Sequence, residues 1–346
     1  MAQNPEYGQP DTPPAGPGEP WGSAPPLPPK SGVPMALVVT IVIVVVGVVS
    51  VAVCGVLAGI LLPALGKARQ TARELKDSTQ VRGTHMGMMS FAAANRDQYP
   101  LPSVIDARNG TINSANPLEK DTTGNILSIL VFLGFAPTDM MVSPAESNPS
   151  VSAHEAYEFD DPSRAASPRA ALWDPAFNGT PLDTHPTSAG NTGIGNTSYA
   201  HLIPLGARRG EWSATFRSDQ VIVGNRGPDY IGQPGKWALA NGPTGTGSNT
   251  LIIHGSRTRW EGNMARNDGM VVFETKPDPD DLTFTFGRLG GRGPMVFPDN
   301  LFVCEDDATG AIVGPESMLV QTNRYLRGVS SVRSAGNGLT LTIWVD

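Results

Sequence analysis

From Met35 to Leu62 the chain runs 28 residues without a charge, and most of the side chains are Val, Ile, Leu or Ala. Polar positions do not recur along it, so the pattern is neither the one-sided stripe of a surface helix nor the alternation of a half-buried strand. As a helix it extends about 42 Å, more than the roughly 30 Å of a bilayer's hydrocarbon core. The pattern predicts a transmembrane helix over 34–63. A cleaved signal peptide fits poorly: the run is too long, and the 33 residues before it hold a single Lys.

Within this run Gly55 and Gly59 form a small-xxx-small pair of the kind that lets two membrane helices approach closely, so self-association through them is one expectation. Val51-Ala52-Val53-Cys54 has a loose likeness to a lipid-attachment motif. Val53 is too large for the position before the Cys, and the apolar run continues past it. Cys54 therefore reads as an inert small residue that does not pair with distant Cys304.

Beyond the span, Leu65, Ala68, Ala72, Leu75 and Thr79 recur at helical spacing, and no Pro interrupts residues 64–94. This predicts that the helix leaves the membrane and continues over 64–98, stopped by Tyr99-Pro100 and Pro102. Pro63 removes the hydrogen bond to the carbonyl of Gly59 and is expected to kink the rod. Before the span, residues 1–33 hold ten Pro and little that is apolar, so a disordered tail with polyproline II character is expected.

After Pro102 the texture becomes that of a folded head, 99–346. Ile126 to Leu133, closed by Gly134, predicts a short buried helix, and 143–197 reads as long loops in which Trp173 and Phe177 pack down. Short apolar or alternating runs follow from about residue 199: 220–223, 250–253, 270–273, 282–286, 301–303, 318–320 and 339–344. With Gly, Pro and Asp between them they predict an antiparallel sheet. Asn267-Asp268-Gly269 is a tight hairpin signal. The expected fold class is α+β, a long N-terminal transmembrane helix continuing into a head with an antiparallel β-sheet.

Composition narrows the function classes. The 39 Gly and 32 Pro make up about a fifth of 346 residues, too many for a coiled coil or a helical bundle. Two Cys exclude a disulfide scaffold and a Cys-based zinc module. A net charge of −7 speaks against non-specific nucleic-acid binding. Charge is unevenly placed: Lys67, Arg69, Arg73, Lys76, Arg82 and Arg96 outnumber Glu74, Asp77 and Asp97 just after the span, forming a basic collar below an acidic head.

Metalloprotease, nucleophile-elbow, paired-cysteine and P-loop patterns are missing from the sequence. His85, His154, His185, His201 and His254 are scattered without metal-ligand spacing. The acidic turns 278–281 and 305–307 are of a type that binds calcium, but read as solvated loops. No cofactor, no metal and no enzymatic role are expected. Trp212, Trp237 and Trp260 stand in loop-prone stretches, which keeps open an anchored module that binds a polysaccharide or an envelope protein. An anchored hydrolase is the third class.

Ile60-Leu61-Leu62-Pro63-Ala64-Leu65-Gly66-Lys67-Ala68-Arg69 resembles the membrane-to-helix junction of type II secretion G-type pseudopilin-like proteins, in the type IV pilin-like superfamily. Ala94-Asn95-Arg96-Asp97-Gln98-Tyr99-Pro100 is similar to the stretch that ends the family's helix, and Leu127 to Ser143 to a short helix and Ser-Pro beyond it. Asn263 to Phe273, around Asp268-Gly269, resembles the C-terminal His-spacer-Asp-Gly hairpin of one subfamily, with His254 in the His role. The motif positions are then Pro63, Lys67, Arg69, His254, Asp268 and Gly269. The resemblance implies a pilin-like head outside the cytoplasm, anchored in the bacterial inner membrane, with the bilayer and envelope or secretion-system proteins as partners. Positive-inside counting opposes that orientation, because more basic residues follow the span than precede it. Glu74 and Asp77 are expected to dilute the collar.

Family precursors carry a Gly before the cleavage point and a Glu five residues into the mature helix. Here those positions fall on Ile41 and Val46. A branched side chain blocks the cut, and Val cannot form the buried ion pair through which such a subunit joins a fibre. The expected product is a permanent anchor that is not cut. Intact-mass measurement of the purified membrane protein should find residues N-terminal to Ile41 retained; a species beginning near Val42 would restore a processed pilin-type subunit.

Overall fold

The computed structural model describes residues 32–183, 193–336 and 338–346. The tail expected over 1–33 lies outside them except for Gly32 and Val33. The chain divides into two compact units, Met1–Pro63 and Ala64–Asp346. A single helix, α1 (Met35–Ala94), supplies residues to both.

In the first unit every side chain of α1 from Met35 to Leu62 is exposed. That apolar surface, on a backbone that satisfies its own hydrogen bonds, matches the hydrocarbon of a bilayer. Among the described residues α1 is the one helix long and apolar enough to cross a membrane. A side chain placed at Gly55 or Gly59 would meet nothing within 4 Å.

In the second unit α1 buries Asp77, Gln80, Val81, Thr84, His85, Gly87, Met88, Phe91 and Ala92, which recur at helical spacing. Leu65, Ala68, Ala72, Leu75 and Thr79 are all exposed. The buried face includes the polar Asp77, Gln80, Thr84 and His85, each of which finds a hydrogen-bond partner inside the head. At the end of α1, Arg96 and Asp97 adopt φ values of 56° and 61°, turning the chain back on itself.

Two further helices follow, α2 (Pro102–Ile105) and α3 (Thr123–Phe132). α3 is buried almost all round; Thr122 caps its start, and Gly134 at φ 73° reverses the chain after it. The strands are β1 (Tyr199–Leu202), β2 (Val221–Asn225), β3 (Tyr230–Gln233), β4 (Lys236–Leu239), β5 (Gly262–Arg266), β6 (Val271–Glu274), β7 (Thr283–Phe286), β8 (Met295–Pro298), β9 (Leu326–Ala335) and β10 (Gly338–Trp344). Six of them form one antiparallel sheet in the order β10-β9-β1-β2-β5-β6, while β3-β4 and β7-β8 are separate hairpins.

Both faces of the central sheet are covered. On one side α1 and α3 pack Val81, Met88, Phe91, Ile126 and Leu130 against Tyr199, Ile222 and Val223. On the other, Ala200, Val221 and Met264 meet Trp260, Leu301 and Phe302, which arrive on loops. A third cluster joins Val329, Val332 and Leu341 to Cys304 and Tyr325. Strands β1, β2 and β5 are accordingly buried at every position and show no alternation. Trp173 and Phe177 are fully buried, as their place in the loop region suggests.

Three expected strands are not strands. Residues 250–253 sit in a short 3-10 turn (Asn249–Ile252) and the residue after it, where the Ser248 hydroxyl accepts from the Thr250 N–H and Leu251 faces inward. Residues 301–303 and 318–320 lie in turns. Their apolar side chains reach the core from loops whose backbone groups bond to side chains, as when Asn300 Oδ1 accepts from Phe302 N at 3.0 Å. Conversely, the long strand β9 reads as polar in sequence, yet its first seven residues are buried.

Gly124, in the first turn of α3, packs backbone to backbone on Gly179. A Cβ on Gly179 would overlap the Gly124 nitrogen and lie 2.7 Å from Thr123 Cβ. Gly179→Ala is expected to cost about 1–3 kcal/mol of stability, read as a shifted denaturation midpoint; an unchanged midpoint would show that this contact yields freely.

Candidate functional site

Asp77 of α1 is fully buried. An isolated carboxylate there would be prohibitive, so its partners define the site. Its Oδ1 accepts from the Tyr199 hydroxyl at 3.0 Å and Asn225 Nδ2 at 3.3 Å. Its Oδ2 accepts from Asn263 Nδ2 at 2.7 Å and His254 Nε2 at 2.9 Å. These donors come from β1, β2, β5 and the loop after residue 252. Asn225 also accepts from Asn263 N at 2.6 Å, tying β2 to β5 beneath the carboxylate.

The electrostatics follow from that geometry. Burial alone raises the acid's pKa, but the hydrogen bond and charge of His254, with the hydrogen bonds of Ser143 and Asn263, hold Asp77 below its ordinary value. It is therefore a carboxylate that only accepts, and His254 Nε2 carries the proton between them. Burial, then the adjacent Asp77 charge, pushes the Tyr199 phenol well above its usual range and keeps it a neutral donor. Phe273 closes the site with its ring edge-on to His254, centroids 5.9 Å apart.

A second buried cluster lies nearby in the fold. Arg226 pairs with Glu146 at 2.9 Å and with Asp346 at 3.2 Å, and stacks over Trp344 at 4.4 Å. Glu146 also accepts from the Ser198 hydroxyl at 2.6 Å. This joins the end of β10 to the loop that supplies Ser143.

The motif positions separate. His254 reaches the Asp77 cluster. Asp268 does not: it lies exposed in the β5–β6 turn, where its Oδ1 accepts from Met270 N at 3.0 Å, and Gly269 follows with φ 87°. Lys67 and Arg69 are exposed on α1, and Pro63, Gly55 and Gly59 belong to the first unit. Asp77 is corrected from a surface charge diluting the basic collar to an interior anchor. The sequence held a signal for it: Asp77, Gln80, Thr84 and His85 recur with helical period.

Other candidates resolve into structure. Burial pushes His85 and His201 down to about 4, so both are neutral interior groups. His85 hydrogen-bonds Tyr99, and His201 hydrogen-bonds Thr123. His185 lies outside the described residues. Trp212 and Trp260 are core residues whose indole N–H groups donate to the carbonyls of Pro100 and Arg226, and Trp237 is half-buried on β4. Cys54 and Cys304 are both free.

In the acidic turns, Asp280 and Asp281 pair with Lys276 and Arg266. The reading of 305–307 as a solvated loop is corrected at Glu305, which is fully buried and raised to about 10 by burial and the neighbouring Asp299. Asp306 and Asp307 remain turn-formers. Among the described residues no group of three or more His, Cys, Asp or Glu side chains converges to hold a metal ion.

No family model, no curated protein and no solved structure matches the chain.

Removing the carboxylate leaves His254, Asn225, Asn263 and Tyr199 without their acceptor. Asp77→Ala is expected to destabilise the protein by about 3–5 kcal/mol. Leu75→Ala, two residues away on the exposed face, should stay within about 0.5 kcal/mol. Chemical denaturation of the two variants checks this, and equal midpoints would remove Asp77 from its anchoring role.

Proposed function

We propose that this chain is a membrane-anchored, pseudopilin-like structural protein of the bacterial cell envelope, which carries its head outside the cytoplasm and takes part in envelope assembly linked to type II secretion. The observation that carries the reading is the Asp77 site. The acid on the helix and His254, the His position of the resembled hairpin, are partners, and the other polar groups there join the helix to three strands. Such a site transmits force and fixes orientation.

The basic collar of Lys67, Arg69, Arg73 and Lys76 favours the opposite orientation, more so with Asp77 buried, so topology is the decisive measurement. The full-length chain should stay with membranes through carbonate extraction. Alkaline phosphatase fused after Asp346 should be active and β-galactosidase silent. An active β-galactosidase would place the head in the cytoplasm and end the secretion reading. Pull-down from solubilised membranes should then recover envelope or secretion-system proteins.

A further inference from the structure

A cavity of about 360 Å³ opens between α1 and the loop that carries His254, lined by Gly66, Arg69, Gln70, Arg73, Ala145 and residues 252–255. Arg69 and Arg73 stand one helical turn apart on the same face, both exposed. Neither has a hydrogen bond or an ion pair with any described residue. Across the cavity lies the loop of His254, whose ring is turned inward, with Nε2 held by Asp77. The backbone N–H groups of His254 and Gly255 have no acceptor among the described residues. Two guanidiniums lining one cavity with a loop that has unpaired N–H groups form a site for an anion with several oxygens. Gln70 adds a side-chain amide to the lining.

Position along the chain selects the anion. Arg69 follows Leu62, the last residue before Pro63 closes the apolar run, by seven residues, and Arg73 by eleven. Basic residues so close to the end of a span lie in the headgroup region of the membrane that holds it. We propose that this cavity binds the phosphodiester headgroup of an anionic phospholipid, with Arg69 and Arg73 as the charge-bearing contacts. The inference rests on the membrane-anchor reading but not on which side the head occupies. A lipid bound here would touch the loop of His254 and so brace the latched end of the helix against the bilayer.

The test uses the full-length protein, released from bilayers of phosphatidylcholine with phosphatidylglycerol and analysed by native mass spectrometry. Wild type should retain phosphatidylglycerol in preference to phosphatidylcholine. Each arginine near the surface contributes about a fivefold preference, so Arg69→Gln with Arg73→Gln should lose about twenty-fivefold. The melting temperature of the double variant, whose changes are on the exposed face, should match wild type. Equal retention of the two lipids by wild type, or undiminished preference in the double variant, overturns the proposal. A parallel titration with inorganic phosphate separates the sources: saturation by free phosphate that displaces the lipid at equal concentration would make this a soluble-phosphate site and overturn the lipid assignment. Flotation with phosphatidylcholine vesicles keeps the premise apart. A chain that fails to float refutes the membrane anchor, and one that floats without lipid preference refutes this site alone.

Discussion

Burying one carboxylate organises the second unit. Asp77 would destabilise any helix face that placed it in an apolar core alone. It becomes favourable where four neutral or cationic donors converge, and those donors lie on strands and a loop far apart in sequence. The helix can therefore dock in one rotation and one axial position. That choice turns Leu65, Ala72 and Leu75 to the outside and brings Val81, Met88 and Phe91 onto the sheet. The hydrophobic contact area stabilises the packing, while the carboxylate sets its register.

The same logic governs the rest of the head, where Gly and Pro leave much backbone outside regular structure. Loop carbonyls inside a protein need donors, and buried arginines supply them. Arg327, on strand β9, donates to the carbonyls of Gly227 at 2.5 Å, Pro228 at 3.2 Å and Phe302 at 2.6 Å. Arg208 donates to those of Asn323 at 2.6 Å and Met318 at 2.7 Å. Arg324 reaches the carbonyl of Asp219 at 2.7 Å and the buried carboxylate of Asp299 at 2.9 Å. These side chains hold the turns around 301–303 and 318–320 in place of a ladder. Apolar residues such as Leu301 and Phe302 enter the core from irregular backbone because arginines satisfy that backbone.

Two kinds of electrostatics thus coexist along α1. Inside the head, charge is paired and screened from water, and it fixes geometry. On the open side, Lys67, Arg69 and Arg73 remain unpaired next to the uncharged run. The loop of His254 belongs to both, since one ring nitrogen completes the Asp77 site and residues 252–255 also line the arginine cavity. Anchoring and surface recognition share one loop.

What the sequence determined by itself is what depends on near neighbours. The uncharged run from Met35, the helix continuing to Ala94, the buried α3 with Gly134 at its end and the Asp268-Gly269 hairpin are all patterns within one or two turns of chain, where period and glycine conformation decide. The tertiary structure decided which of the helical stripes of α1 is inside, that polar β9 is an interior strand, and that 250–253 and 301–303 are turns. It also decided that Asp77 is an interior anchor. The His254 partner of Asp77 is 177 residues away, and its Asn263 partner 186. Local pattern ranks an acid as surface and an arginine strand as loop because burial of either is costly in isolation. The donors and acceptors that reverse that cost are assembled only when the chain folds.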